Sequence, residues 1–72
     1  MNNNEIVNEI AEILELEDNF DINETPIEID SLSSLGLVSF LDSNFNISVT
    51  KEEIEEFKVV NDIVKYIDER KS

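Results

Sequence analysis

Residues 30–45, DSLSSLGLVSFLDSNF, set the architecture more strongly than any other part of the chain. Asp30 and Ser31 are both residue types that begin helices well, so we expect a helix that starts at one of them and runs to about Asn44. At about 100° per residue, the apolar side chains of this helix fall on two arcs. We expect one arc to face the core, namely Leu37, Val38, Leu41 and Phe45. The other arc is predicted to be an exposed strip beside Ser31, made of Leu32, Leu35 and Ser39.

A further helix and a long loop are predicted before this segment. Apolar residues recur on one face from about Asn4 to Leu16, as in an amphipathic helix. The stretch from Glu17 to Ile29 is rich in Asp and Asn and contains Pro26, which is typical of a loop. Its apolar residues predict that the loop packs against the core: Phe20, Ile22, Ile27 and Ile29.

Two helices are predicted after it. Thr50 and Glu53 have the spacing of a capping box, which predicts a short helix through about Phe57. A last helix is expected from about Val60 to Arg70, with a buried stripe of Val60, Ile63, Val64 and Ile67. We therefore expect residues 1–72 to form one all-α domain. Its architecture would be a small antiparallel four-helix bundle with three main helices, one short helix and a long loop between the first two.

The composition argues against several classes of function. The chain has no His and no Cys, so the commonest general base and thiolate chemistry are both missing. A net charge of −13 repels nucleic-acid phosphates and anionic lipid heads, and favours basic protein surfaces as partners. The chain has no apolar run of about 18 residues, and residues 1–5 lack the features of a signal peptide. We expect a cytoplasmic protein that is not an enzyme and binds neither nucleic acid nor membranes.

The pair Asp30-Ser31 is the first candidate for chemistry. A phosphate on a serine that opens a helix faces free N–H groups and the positive end of the helix dipole. Because no His accompanies Ser31, it is an acceptor for a group that another enzyme transfers rather than a self-activated nucleophile. Asp30 could hold that enzyme's metal ion against the phosphates. Taken alone, the motif is better explained as a simple helix cap.

The chain resembles the acyl carrier protein family from residue 27 to residue 45 and onward through Val49, the acidic stretch from Glu52 to Phe57, and the last helix. The motif that carries this resemblance is Asp-Ser-Leu at the head of the second helix. The resemblance implies that Ser31 bears a 4′-phosphopantetheine arm, which a phosphopantetheinyl transferase attaches from coenzyme A. The thiol of the arm would carry an acyl group as a thioester for fatty-acid or specialised lipid or polyketide-type biosynthesis. It also implies that the core between the helices shelters a short or medium acyl chain by parting along the Leu37–Leu41–Phe45 face.

The resemblance also implies a docking surface for partner enzymes. In the family this surface is the second helix, which corresponds here to Leu32, Leu35, Ser39 and Asp42. The expected partners of this monomer are acyl-loading ligases or synthases with basic docking surfaces. Glu28 stands where many members have a Gly, and Asp42 is the clear acid of the second helix. These departures leave open a specialised free-standing carrier that is loaded by its own ligase.

Three alternatives remain, of which the last two come from other classes of function. The same fold could serve as an aminoacyl or peptidyl carrier, or as an unmodified acidic adaptor that binds a basic protein. A calcium loop is suggested by residues at EF-hand spacing: Asp42, Asn44, Asn46, Ser48, Thr50 and Glu53. Because Ile47 replaces the glycine of such loops, we expect no specific metal site. The acidic residues between Glu52 and Glu56 are predicted to form a solvated helix face, and Tyr66 to pack with its hydroxyl at the surface.

The charge of −13 predicts that salt stabilises the fold. Like charges repel more strongly in the folded chain than in the expanded one, and added ions screen this repulsion. We expect the Tm measured by circular dichroism to rise from low to moderate NaCl, and to rise with a divalent cation as well. An unchanged Tm across this range would contradict the prediction.

Overall fold

Four α-helices account for the regular structure of residues 2–70, the part of the chain that the computed structural model describes. They are α1 (Asn3–Leu14), α2 (Ser31–Phe45), α3 (Lys51–Glu55) and α4 (Val60–Arg70). No strand is present within residues 2–70. The predicted class, a small all-α bundle with a long first loop and one short helix, is confirmed.

Side-chain caps fix where three of the helices begin. Asn2 and Glu5 form a capping box at α1, and Thr50 and Glu53 form the predicted one at α3. Asp30 caps α2, so the helix proper starts at Ser31. Two helices end earlier than predicted: α1 ends at Leu14 because Glu15 adopts a left-handed conformation with φ 55°, and α3 ends at Glu55.

The core is built where α1 packs against both α2 and α4. Each of these helices contributes a stripe of buried apolar side chains: Ile6, Ile10 and Leu14; Leu37, Phe40 and Leu41; Val60, Ile63, Tyr66 and Ile67. Ile47, Ile54 and Phe57 extend the core toward α3. Burial of a side chain of this size contributes roughly 1.5 to 3 kcal/mol, so these stripes supply most of the stabilisation.

The predicted position of Val38 in the core is wrong. Val38 was expected in the core arc, but it is 37% exposed. Phe40, which was not assigned to that arc, is only 7% exposed and packs edge-on against Phe45 with ring centroids 5.7 Å apart. The helix is therefore rotated so that Phe40 faces inward and Val38 lies on a partly open side.

The long loop between α1 and α2 is ordered by its own contacts, as its apolar residues predicted. Phe20, Ile22, Ile27 and Ile29 are partly buried against the core. The N–H of Ile27 donates to the carbonyl of Lys58 at 3.0 Å, and the N–H of Asn61 donates to the carbonyl of Ile22 at 2.8 Å. These bonds attach the loop to the connection between α3 and α4 and to the first turn of α4, so the end of the loop holds Asp30 in a defined position at the start of α2.

Gly36 allows α2 to lie close to α1. A Cβ atom placed on Gly36 would lie 2.9 Å from Cγ2 of Ile13, which is closer than two carbon atoms normally approach. In a helix interior, glycine costs about 1 kcal/mol relative to alanine. The close helix contact explains why this cost is tolerated.

Gly36→Ala should lower the free energy of unfolding by about 1 kcal/mol. The overpacking against Ile13, of order 1 to 3 kcal/mol, exceeds the gain of about 1 kcal/mol in helix propensity. The measurement is urea unfolding followed by circular dichroism.

A second background separates the two effects of this substitution. In Ile13→Ala, where the facing methyl group is gone, Gly36→Ala should instead stabilise by about 1 kcal/mol. The same sign of effect in both backgrounds would show that the contact between Gly36 and Ile13 is not the reason for the glycine.

Candidate functional site

Ser31 is the first residue of α2 and is exposed to solvent. Its position is fixed by Asp30, whose carboxylate accepts a hydrogen bond from the Ser33 N–H at 2.8 Å, while the Asp30 carbonyl accepts one from the Ser34 N–H at 2.8 Å. The Ser31 hydroxyl therefore stands at the positive end of the helix dipole, a position that suits a phosphate ester.

Asp30 stays ionised at neutral pH. The backbone N–H of Ser33, and then the Ser33 hydroxyl, hold the pKa of the Asp30 carboxyl below its usual value of 3.8. The carboxylate is exposed beside Ser31, so it combines a capping role with a fixed negative charge next to the candidate hydroxyl.

A cavity of about 480 Å³ opens beside Ser31, between the start of α2 and α3. We call it the Ser31 cavity. Its apolar wall consists of Ile29, Leu35, Val38 and Ile54. Lys51 and Glu55 of α3 add one charge of each sign. An apolar group tethered to Ser31 can therefore leave water by lying in this cavity.

The predicted docking residues share the exposed side of α2. Leu32 is 81% exposed and Leu35 is 67% exposed, and Ser39 and Asp42 are exposed as well. The expectation of an exposed strip beside Ser31 agrees with this arrangement. The cavity lies beside a different face of α2 from Leu37 and Leu41, which are fully buried. The parting of the core along the Leu37–Leu41–Phe45 face stays a prediction.

The residues of the suggested calcium loop do not form such a loop. Asp42 and Asn44 lie within α2, and the Asn44 side chain donates to the Phe40 carbonyl at 3.0 Å. Asn46 ends that helix in a left-handed conformation, and Glu53 is bonded to Thr50 in the α3 capping box. Within residues 2–70 there is no group of three or more acidic side chains placed to hold a metal ion.

The acidic residues between Glu52 and Glu56 were predicted to form a solvated helix face, but Glu53 contacts other side chains instead. Its Oε1 atom accepts from the Thr50 N–H at 2.9 Å and from the Tyr66 hydroxyl at 3.0 Å. Its Oε2 atom lies 3.1 Å from Nη2 of Arg70, whose guanidinium carbon lies 3.8 Å from the centre of the Tyr66 ring. We call Glu53, Tyr66 and Arg70 the α3–α4 clasp.

The electrostatics of the α3–α4 clasp follow from these bonds. The Thr50 N–H, and then the Tyr66 hydroxyl, lower the pKa of the Glu53 carboxyl below 4.5. Burial, and then the hydrogen bond to Glu53, raise the pKa of Tyr66 above 10.0. At neutral pH the phenol is therefore a hydrogen-bond donor and the carboxylate is charged. Sequence reasoning missed this cluster, although Tyr66 and Arg70 have the i, i+4 spacing that places them on one helix face.

Comparison with known proteins identifies the class of domain. A family model described as a phosphopantetheine attachment site matches residues 4–67, so the chain belongs to this family of carrier proteins, which includes acyl carrier proteins. The family's domain carries 4′-phosphopantetheine covalently. The exposed Ser31 hydroxyl at a helix start, beside a cavity with an apolar wall, fits such a group.

The two other comparisons, with curated proteins and with solved structures, found no relative of this chain. Domains of this family are generally non-catalytic carriers that work with phosphopantetheinyl transferases and synthase partners. Across residues 2–70, each helix is too short or too polar to span a lipid bilayer.

The cap at α2 can be tested by substitution of Asp30. Asp30→Ala should lower Tm by about 4 to 8 °C, the size typical of a lost cap in a domain of this length, whereas Asp30→Asn should cost less because Asn also caps. Since the folded state lowers the pKa of Asp30, the stability that its charge contributes is present above pH 3.8 and is lost as the pH falls through the lowered pKa.

The advantage of the native protein over Asp30→Asn should therefore shrink as the pH falls below 3.8. The measurement is Tm by calorimetry for the three proteins over a range of acidic pH. Equal losses for Asn and Ala, or a difference that does not change with pH, would contradict this account of the cap.

Proposed function

We propose that this protein is an acyl carrier protein whose 4′-phosphopantetheine arm is attached to Ser31. The observation that carries the proposal is the position of Ser31: exposed, first in α2, preceded by Asp30 and adjacent to the Ser31 cavity. The family match supports the presence of the arm. The motif Asp30-Ser31-Leu32 favours Ser31 over the other serines of α2 as its site.

The chain itself supplies an acceptor and not a catalyst. With no His in the sequence, the base that takes the proton from the Ser31 hydroxyl must come from the transferase. Asp30 would coordinate the magnesium ion that the transferase brings with coenzyme A. When the arm is bound, its terminal thiol supplies the site at which cargo is held as a thioester.

An acyl cargo is favoured over an aminoacyl or peptidyl cargo by the lining of the cavity. Four of its wall residues are apolar: Ile29 in the loop just before α2, Leu35 and Val38 one to two helical turns beyond Ser31, and Ile54 in α3. Each Å² of apolar surface removed from water stabilises the buried state by about 25 cal/mol. A hydrocarbon chain gains this free energy in the cavity, whereas a charged ammonium group would lose its hydration there.

Partner enzymes are proposed to dock on the exposed side of α2. Leu32 and Leu35 offer apolar contact, and Asp42 offers charge. The net charge of −13 attracts basic surfaces over a longer range. We propose phosphopantetheinyl transferase and an acyl-loading ligase or synthase as these partners. The supply of coenzyme A fits a cytoplasmic protein, and residues 1–72 are proposed to act as one carrier domain.

Incubation with coenzyme A, magnesium and a broad-range phosphopantetheinyl transferase tests the attachment site. We expect one mass gain equal to one arm in the native protein and in Ser34→Ala, and none in Ser31→Ala. Ser34→Ala is a matched control because Ser34 also lies on the cavity wall. The absence of a gain in the native protein would favour an unmodified adaptor, and a gain in Ser31→Ala would place the arm elsewhere.

The same reaction with acyl or aminoacyl forms of coenzyme A tests the cargo. An alkyl chain that enters the Ser31 cavity should shift the methyl resonances of Val38 and Ile54, and a glycyl group should not. Resonances that stay unchanged with every alkyl length would contradict an acyl cargo sheltered by this protein.

A further inference from the structure

α3 forms one wall of the Ser31 cavity, although it is too short to be stable by itself. It has five residues, and isolated helices shorter than about 12 residues are marginal in water. Ile54 anchors its inner side with 4% of its surface exposed. The remaining side-chain bonds of α3 to another helix, within residues 2–70, run from Glu53 to α4.

The α3–α4 clasp has the geometry of a rigid attachment. Tyr66 is only 8% exposed, and its ring meets Phe57 edge-on at 5.4 Å, so its hydroxyl is held in place. Oε1 of Glu53 receives that hydroxyl, while Oε2 receives Arg70, whose guanidinium also covers the Tyr66 ring. Both carboxylate oxygens are thus occupied by groups of α4.

Other side chains of α3 face the Ser31 cavity. Lys51, Ile54 and Glu55 line it, whereas Glu53 points to α4. The Tyr66 ring belongs to the buried core, but its hydroxyl and the Arg70 guanidinium bond to Glu53 of α3, away from the packing of α1 against α2 and α4. A change at the clasp therefore acts on the cavity wall first and on the rest of the fold second.

We propose that Glu53, Tyr66 and Arg70 are positioning residues that hold α3 as the closed wall of the Ser31 cavity. This inference rests on the proposed carrier function, because the closed wall is what shelters an acyl chain attached at Ser31. Loss of the clasp lets α3 move away from α2, so the cavity opens and the cargo meets water.

Amide hydrogen exchange on the protein without the arm tests the structural half of the proposal. Tyr66→Phe removes only the hydroxyl, and Arg70→Met removes the charge but keeps the stem. If α3 opens by breaking the clasp, the amides of Ile54 and Phe57 should exchange about fivefold faster in both variants. Lys65→Met, which removes the same charge from an exposed position of α4, should leave them unchanged.

A different pattern of amide exchange would contradict the proposal. If the clasp supports only the whole fold, its loss accelerates the slowest core amides, such as those of Ile10 and Leu41, while the amides of Ile54 and Phe57 keep their rates. That outcome overturns the proposal, and so does an unchanged rate at every amide.

A small reporter on the arm tests the functional half. The transferase moves the arm to Ser31 from a coenzyme A whose thiol carries a short acyl chain with a terminal trifluoromethyl group, and adenosine 3′,5′-bisphosphate leaves. The loaded protein is then observed by fluorine NMR. In the native protein and in Lys65→Met the signal should differ from that of the free arm. In Tyr66→Phe and Arg70→Met at least half of that difference should be lost, and retention of the full difference overturns the proposal.

The two proposals fail in different ways. If no arm is attached to the native protein, the carrier function is wrong, while the exchange rates of α3 still report whether the clasp holds that helix. If every variant is loaded to the same extent and neither the α3 amides nor the fluorine signal respond, the carrier function stands and the positioning role is wrong.

Discussion

The rotation of α2 about its own axis is the constraint on which the rest of the structure depends. Leu37, Phe40 and Leu41 are buried against the other helices, which fixes that rotation. Because side chains advance by about 100° per residue, the same rotation turns Leu35 and Val38 toward the Ser31 cavity and leaves Leu32 in solvent. One packing arrangement therefore determines the core, the cavity and the exposed surface together.

The features that were predictable from the sequence are those encoded by neighbouring residues. Thr50 and Glu53 are three residues apart and form the predicted cap, and Asp30 caps the helix that Ser31 opens. The rotation of α2 about its own axis was harder to predict, because apolar residues lie on almost every side of this helix. Its core face was therefore ambiguous from periodicity alone, and Val38 was assigned inward although it lines an open cavity.

Features formed by distant residues could not be predicted. Glu53 reaches Tyr66 and Arg70 across 13 and 17 positions in sequence, and the local pattern predicts only its cap with Thr50. The cavity likewise requires the loop residue Ile29, α2 and Ile54 of α3 to meet in space. For the candidate site, the sequence therefore indicated the acceptor Ser31 and its cap, whereas the shape of the surrounding space depended on tertiary packing.

The charge around Ser31 explains why the start of a helix suits an attached arm in so acidic a chain. The phosphodiester proposed on Ser31 would add negative charge to a protein that already carries −13, next to the ionised Asp30. The N-terminal N–H groups of α2 and their dipole offset part of this repulsion. Lys51 is the one cationic residue in the cavity lining and opposes it from α3. In the proposed carrier, α3 supplies Ile54 to the apolar wall beside the cargo, and its Lys51 partly offsets the negative charges of the arm, Asp30 and Glu55.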